Sequence, residues 1–290
     1  MKIYLNGKLV DKEGAHISVF DHGLLYGDGV FEGIRAYNYL VFRLKEHIDR
    51  LYKSADAIEL KIPATKTAMI ENVIRTLRAN KLKDAYIRLV VTRGIGDLGL
   101  DPRKCSRPTV FIITDKIKLY PDKFYKNGLE IVTATTKRNL PQALDPRIKS
   151  LNYLNNILAK IDAIKSGTEE AIMLTYEDYV AECTGDNIFM VKDYELITPP
   201  VTLGALEGIT RDAVISIAKR IDIPFYEKTF RMEELYAADE VFLTGTAAEI
   251  IPVVNIDRRK IADGKPGKTT SRLREEFKKM TKVDGVRYAL

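Results

Sequence analysis

The sequence predicts an α+β chain with much antiparallel sheet, because its strand-like runs cluster and do not alternate regularly with helical ones. Three observations carry this reading. Alternating apolar residues flank Asn6-Gly7 in IYLNGKLV, the runs AYIRLVVTR and TVFIITDKI follow one another with no helical pattern between them, and several short apolar runs crowd 171–197.

Taken in order, IYLNGKLV reads as a hairpin, since Asn-Gly supplies the left-handed backbone of a tight turn. Apolar residues at i, i+3, i+4 spacing predict helices over 45–58 and 66–80. GIGDLGLDPRKCSRP separates the two β-rich runs and is long enough to be functional. Pro, Asp, Lys and Gly then gather while the apolar pattern lapses, which predicts a linker at 118–128 between an N-terminal domain, 1–117, and a C-terminal domain, 129–290. Beyond it the pattern predicts a strand at 129–135, a helix over 150–166, a helix starting near Thr210, a strand at 240–243, more strands around 251–261 and a terminal helix from about Lys268.

At 290 residues with 46% hydrophobic content, the chain can bury one large core or two modest ones. No run approaches the roughly 18 apolar residues of a membrane span, and MKIYLNGKLV lacks the apolar core of a signal peptide, so a soluble cytoplasmic protein is expected. Cys105 and Cys183 are far apart and the three histidines form no ligand pattern, so neither a disulfide framework nor a metal is expected. The net charge of +6 is spread among interleaved acids and bases, whereas a nucleic-acid binder needs a clustered basic face. A charged fraction of 30% with Gln142 as the single glutamine leans toward a hot environment.

Four stretches carry candidate chemistry. In DPRIKSLNYLNNILAK, Lys149 precedes Leu151, Leu154, Ile157, Leu158 and Ile161 at helical spacing; it is either a solvated charge at a helix entrance or an inward-pointing nucleophilic amine. LEGITRDAVISIAKRI places Gly208 and Ile209 before Thr210, a helix start that offers an anion its N–H groups and dipole, although a plain N-cap explains it too. LTGTAAEIIP ends a strand in Gly245, Thr246, Ala247 and Ala248, where small residues permit close approach by a second acidic group. In YVAECTGDNIFMV, Glu182 closes an apolar run, and a buried carboxylate there requires a cation or a protonated ring nitrogen. An amine, a carboxylate, the Tyr153 phenol and two anion cradles together describe a pyridoxal phosphate site.

FEGIR, RLKEHIDRL, AYIR, KSLNYLNN, AECTGDNIF, LEGITRDA and LTGTAAEI resemble, in the same order and over nearly the whole chain, the branched-chain aminotransferases among fold-type IV pyridoxal phosphate enzymes. The resemblance implies a two-domain fold like that of D-amino acid aminotransferase, with a small N-terminal α/β domain and a larger C-terminal domain built on a barrel-like antiparallel sheet. It implies that Lys149 forms the internal aldimine and moves the substrate proton, that Glu182 pairs with the pyridine nitrogen and Tyr153 with the ring hydroxyl, and that Leu206 packs on the ring. Arg50, the Ile209 and Thr210 backbone and the Thr246 hydroxyl would hold the phosphate. Thr246 and Ala247 would meet the α-carboxylate, Tyr26, Phe31, Gly33 and Tyr86 would shape the side-chain pocket, and Arg88 would receive the distal carboxylate of glutamate; a surface ion pair explains Arg35 as well as a pocket role. The activity implied is ping-pong exchange of the amino group between leucine, isoleucine or valine and 2-oxoglutarate. A homodimer or larger homo-oligomer is implied too, with the 94–108 loop reaching the partner's pocket. D-amino acid and R-amine aminotransferases and aminodeoxychorismate lyase share the cofactor and most motifs, and the absence of tryptophan bears on substrate breadth.

Overall fold

The computed structural model describes residues 1–116 and 120–289. The chain divides into two compact units, one of Met1–Ile117, Ile148–Asn152 and Thr281–Leu290, the other of Lys118–Arg147 and Tyr153–Met280.

The first unit contains β1 (Lys2–Leu5), β2 (Lys8–Asp11), α1 (His22–Tyr26), β3 (Gly29–Tyr37), β4 (Leu40–Phe42), α2 (Leu44–Ala57), α3 (Lys66–Ala79), β5 (Ala85–Thr92) and β6 (Thr109–Asp115). Its seven-stranded sheet runs from the strand Gly285–Arg287 through β4, β3, β5, β6 and β1 to β2, with every pairing antiparallel. The β1–β2 hairpin turns at Asn6 and Gly7, whose φ of 47° and 94° are what that dipeptide was expected to supply. Leu44, Ile48, Leu51 and Ala55 recur along α2 on its buried side and join Val73 and Leu77 of α3 and Ile34 and Ile87 of the sheet in one core. The Thr65 hydroxyl caps α3 by accepting from Ala68 N–H at 3.2 Å.

The second unit contains α4 (Asp122–Asn127), β7 (Leu129–Thr133), α5 (Leu154–Lys165), β8 (Glu170–Leu174), β9 (Val180–Cys183), β10 (Asn187–Lys192), β11 (Glu195–Thr198), α6 (Ile209–Arg220), β12 (Phe225–Glu227), α7 (Met232–Tyr236), β13 (Glu240–Gly245), β14 (Glu249–Ile256), β15 (Arg259–Lys260) and α8 (Lys268–Met280). Its sheet follows the order β12-β11-β10-β13-β14-β7-β8-β9, with β15 on β14. The sheet is mixed: β7 runs parallel to β14 and β8, and β12 runs parallel to β11. A parallel neighbour needs a crossover, and α5 lies in the one between β7 and β8.

Three expectations meet a different outcome, and one strand was not foreseen. The helix expected over 150–166 begins at Leu154, because 149–151 is drawn into the first unit's sheet, where Phe31 N–H donates to the Lys149 carbonyl at 3.0 Å and Leu151 N–H to that of Gly29 at 2.9 Å. For the same reason 148–152, and with it Thr281–Leu290 through its pairing with β4, clusters apart from the rest of the span 129–290. Of the linker span 118–128, residues 118 and 119 lie outside the described residues, and Asp122–Asn127 is the helix α4. No strand was anticipated at Gly29–Tyr37, yet β3 lies within the first sheet, its Glu32 neutralised from α2 and its Gly33 making room for a ring.

The apolar spacing after Lys149 does build a helix, but much of that stripe faces outward. Leu154, Ile157, Leu158, Ile161 and Ile164 of α5 are all exposed, at 38% or more, while Asn156, Ala159 and Ala163 take the buried side. Among the described residues no helix is long and apolar enough to cross a membrane.

Candidate active site

In the first unit the site grows from one face of β3 and β5. Side chains alternate between the faces of a strand, so Phe31, Gly33 and Arg35 share a face, opposite Val90, Arg88 and Tyr86 in register. Arg88 stands 4.5 Å from the Phe31 ring centroid and 5.6 Å from that of Tyr86, and Lys149 Nζ is 4.6 Å from the same Phe31 ring. A Cβ on Gly33 would come within 2.2 Å of the Tyr86 hydroxyl, so this position admits only glycine while Tyr86 keeps its place. Lys149, Phe31, Gly33, Tyr86 and Arg88 are thus brought together. Tyr26 ends α1 and donates its hydroxyl proton to the Leu98 carbonyl at 2.5 Å.

The opposite, core-facing side of β3 carries Glu32, fully buried between sheet and helix. Its carboxylate accepts from Arg50 Nε at 2.7 Å, Arg50 Nη2 at 2.8 Å and His47 Nδ1 at 2.8 Å. Burial pushes the Glu32 carboxyl up, but Arg50 and His47 outweigh it and hold the group at about 2. Burial also lowers His47 below its ordinary 6.5 against the pull of Glu32, with the Arg50 and Lys149 charges acting in the same direction as burial. One turn beyond Arg50 on α2, the buried Ser54 hydroxyl accepts the Lys149 backbone N–H at 3.1 Å.

In the second unit Glu182, on β9, is buried and joined to three other segments. Arg138 Nη2 meets Oε1 at 2.6 Å, while Oε2 accepts from Leu206 N–H at 2.9 Å and Asn187 Nδ2 at 3.2 Å. Arg138 also donates to the Gly204 carbonyl at 2.9 Å and to Asn156 Oδ1 at 3.1 Å. Asn187 extends the network to the start of α6, where Gly208 is the N-cap and provides no side-chain cap. A Cβ on Gly208 would sit 2.0 Å from Asn187 Oδ1. The second cradle is the turn from β13 to β14 through Thr246, Ala247 and Ala248, where a Cβ on Gly245 would lie 1.8 Å from Asp186 Oδ1. The Thr184-Gly185-Asp186-Asn187 turn therefore lies against Gly208, Gly245 and the Glu182 carboxylate. Tyr153 is the residue just before α5.

Four contributors were not anticipated: Glu32, His47, Arg138 and Asn187. Arg138 sits in KRN, where an arginine beside a lysine reads as surface charge, and nothing local marks it as buried. Glu32 and His47 lay inside quoted motifs, but a pairing across 15 residues between a strand and a helix has no sequence period. Among the described residues no group of three or more His, Cys, Asp or Glu side chains could hold a metal ion.

The family described as Amino-transferase class IV matches residues 29–256. The chain is 54% identical over 287 residues, spanning 99% of itself and 99% of its relative, to a Methanocaldococcus jannaschii protein provisionally named a branched-chain-amino-acid aminotransferase. The crystal structure of the Escherichia coli branched-chain amino acid aminotransferase matches with a TM-score of 0.94 at 36% identity, covering 96% of this chain and 93% of that one. The branched-chain amino acid aminotransferase of Thermobaculum terrenum, in its PLP-form, matches with a TM-score of 0.87 at 32% identity, covering 97% of this chain and 93% of that one.

Proposed function

Because this chain belongs to the class IV aminotransferases, and within them to the branched-chain aminotransferase family, we propose that it passes the amino group of L-leucine, L-isoleucine or L-valine to 2-oxoglutarate in two half-reactions of ping-pong type. Its cofactor is pyridoxal 5'-phosphate. The residues fit that group: the start of α6 has no side-chain cap, so its N–H groups are open to an anion, and the buried Thr244 hydroxyl on β13 has no partner among the described residues. When bound, pyridoxal phosphate supplies a carbonyl that exchanges with the substrate amine and a ring that takes up the electrons of the broken Cα–H bond.

The observation that carries the reading is the pair of cations on one ring, Arg88 and Lys149 over Phe31. Lys149 would hold the cofactor covalently and carry the proton at the substrate α-carbon through its Nζ. Phe31, Tyr86, Gly33 and Tyr26 would present an apolar wall to an aliphatic side chain, with Arg88 beside it to take the distal carboxylate of glutamate. One pocket then serves both partners of the exchange. Arg50, the Ile209 and Thr210 N–H groups and the Thr246 hydroxyl would hold the phosphate, Thr246 and Ala247 N–H the substrate carboxylate, Glu182 the pyridine nitrogen and Tyr153 the ring hydroxyl, with Leu206 packed on the ring.

The outward stripe on α5, together with the exposed Leu98 and Leu100 of the 94–108 loop, supports a homodimer or larger homo-oligomer in which that loop reaches the partner's pocket. The unpaired thiols Cys105 and Cys183 suit the reducing cytoplasm. The deciding experiment follows the visible spectrum of the holoenzyme on adding L-leucine, then D-alanine. Bleaching by L-leucine alone is expected; bleaching by D-alanine alone would overturn the substrate assignment in favour of a D-amino acid enzyme.

A further inference from the structure

Glu32 and His47 are not used by any step above, yet with Arg50 they form a buried triad in which three donor groups from α2 converge on one carboxylate of β3. A guanidinium is a planar fork, so fixing its Nε and one Nη fixes the direction of the remaining Nη. Glu32 takes Arg50 Nε and Nη2, one on each oxygen, which leaves the arginine no rotation about its terminal bonds without breaking both contacts. His47 completes the clamp from one turn earlier on α2: its Nδ1–H, which must donate because a carboxylate can only accept, ties down the oxygen that Nη2 also uses. The Glu32 backbone is in turn fixed by its register with Leu89, and its neighbour Phe31 is tied through its N–H to the Lys149 carbonyl.

We propose that Glu32 and His47 are positioning residues that hold the Arg50 guanidinium in the orientation with which it meets the cofactor phosphate. This rests on the reading of Arg50 as a phosphate ligand. The clamp sets the direction of the arginine before the phosphate arrives, so the ordering cost is met during folding and not during binding. Because β3 presents Glu32 on one face and Phe31 on the other, one strand carries both the clamp and a residue that would meet the substrate.

The test compares two probes on apoenzyme, pyridoxal 5'-phosphate and unphosphorylated pyridoxal, with dissociation constants taken from absorbance titrations. Glu32→Gln and His47→Asn are expected to weaken pyridoxal phosphate binding, the first by about tenfold or more and the second by a smaller factor, as for loss of charge-assisted hydrogen bonds. Pyridoxal binding should change less than about twofold, because a clamp that serves the phosphate leaves the ring contacts alone. Equal weakening of both probes, or of neither, would assign the triad to stability alone and overturn the proposal. Arg50→Lys separates the two layers of the argument: a selective loss there with none in Glu32→Gln or His47→Asn sinks the clamp only, whereas no selective loss in Arg50→Lys sinks the phosphate role of Arg50 and the clamp with it. If Glu32→Gln does not fold, His47→Asn carries the same comparison.

Discussion

Each unit buries one glutamate against one arginine, and the two pairs are built from different material. Glu32 and Arg50 stand on a strand and a helix, regular elements whose own hydrogen bonds fix them, and the further donor the structure gives Glu32 is a second side chain, His47. Arg138 lies outside any helix or strand, and the Glu182 it meets also accepts a loop N–H and an amide. Desolvating an ion pair is costly unless its remaining donors and acceptors are satisfied, and the two sites meet that demand by opposite routes. The first concentrates charge on one acid between rigid elements. The second distributes hydrogen bonds among separate segments, so Glu182 ties together Arg138, the start of β10 at Asn187 and the backbone at Leu206.

Four experiments test that contrast. Lys149→Ala should produce the largest change, a loss of about a thousandfold or more in transamination, with unchanged circular dichroism. Turnover near wild type would remove the chemistry from the side-chain-built pole altogether.

The acid limb of stability comes next. Glu32 is held at about 2 against an ordinary 4.5, so its pair contributes about 3 kcal/mol that is fully present above the unfolded value and drains away as pH falls from about 4.5 toward 2. Urea unfolding across that window should therefore show a steeper decline for the wild type than for Glu32→Gln; parallel curves would mean that the clamp stores no such energy.

Glu182→Gln keeps the shape of the second hub but removes its charge. Both half-reactions should slow about tenfold to a hundredfold while the protein stays folded, the size expected for a hydrogen bond to a charged group. A lower melting temperature with wild-type rates would show instead that Glu182 serves Arg138 alone.

The smallest effect is expected at Arg88, where alanine should reduce the glutamate half-reaction by about tenfold and the leucine half-reaction much less. Equal losses in single-turnover rates with the two amino acids would count against a distal-carboxylate role.

Legibility in the sequence followed the range of the interaction concerned. Asn6-Gly7, the apolar spacing of α2 and α3, and the glycine turns at Gly208 and Gly245 were readable because a residue's own backbone or its neighbours three and four positions away set the structure there. The helix after Lys149 was placed four residues too early, since the spacing of Leu151 and Leu154 could not show that Leu151 would donate its N–H to Gly29. The same apolar stripe, which spacing alone would turn inward, is exposed on α5 because the small residues Ala159 and Ala163 pack that helix against its own unit.

Lys149 and Glu182 as candidates, and the helix start after Gly208, were thus determined by the sequence, whose motifs needed only local chemistry and order along the chain. Tertiary structure alone decided that Arg50 would be gripped by Glu32 and His47, that Arg138 would leave the surface for Glu182, and that Lys149 and Arg88 would share the ring of Phe31. Those pairings join residues 15 to 118 positions apart, as His47 to Glu32 and Lys149 to Phe31 show. A charge declares its sign in the sequence, but its partner is chosen only when burial removes water as the alternative.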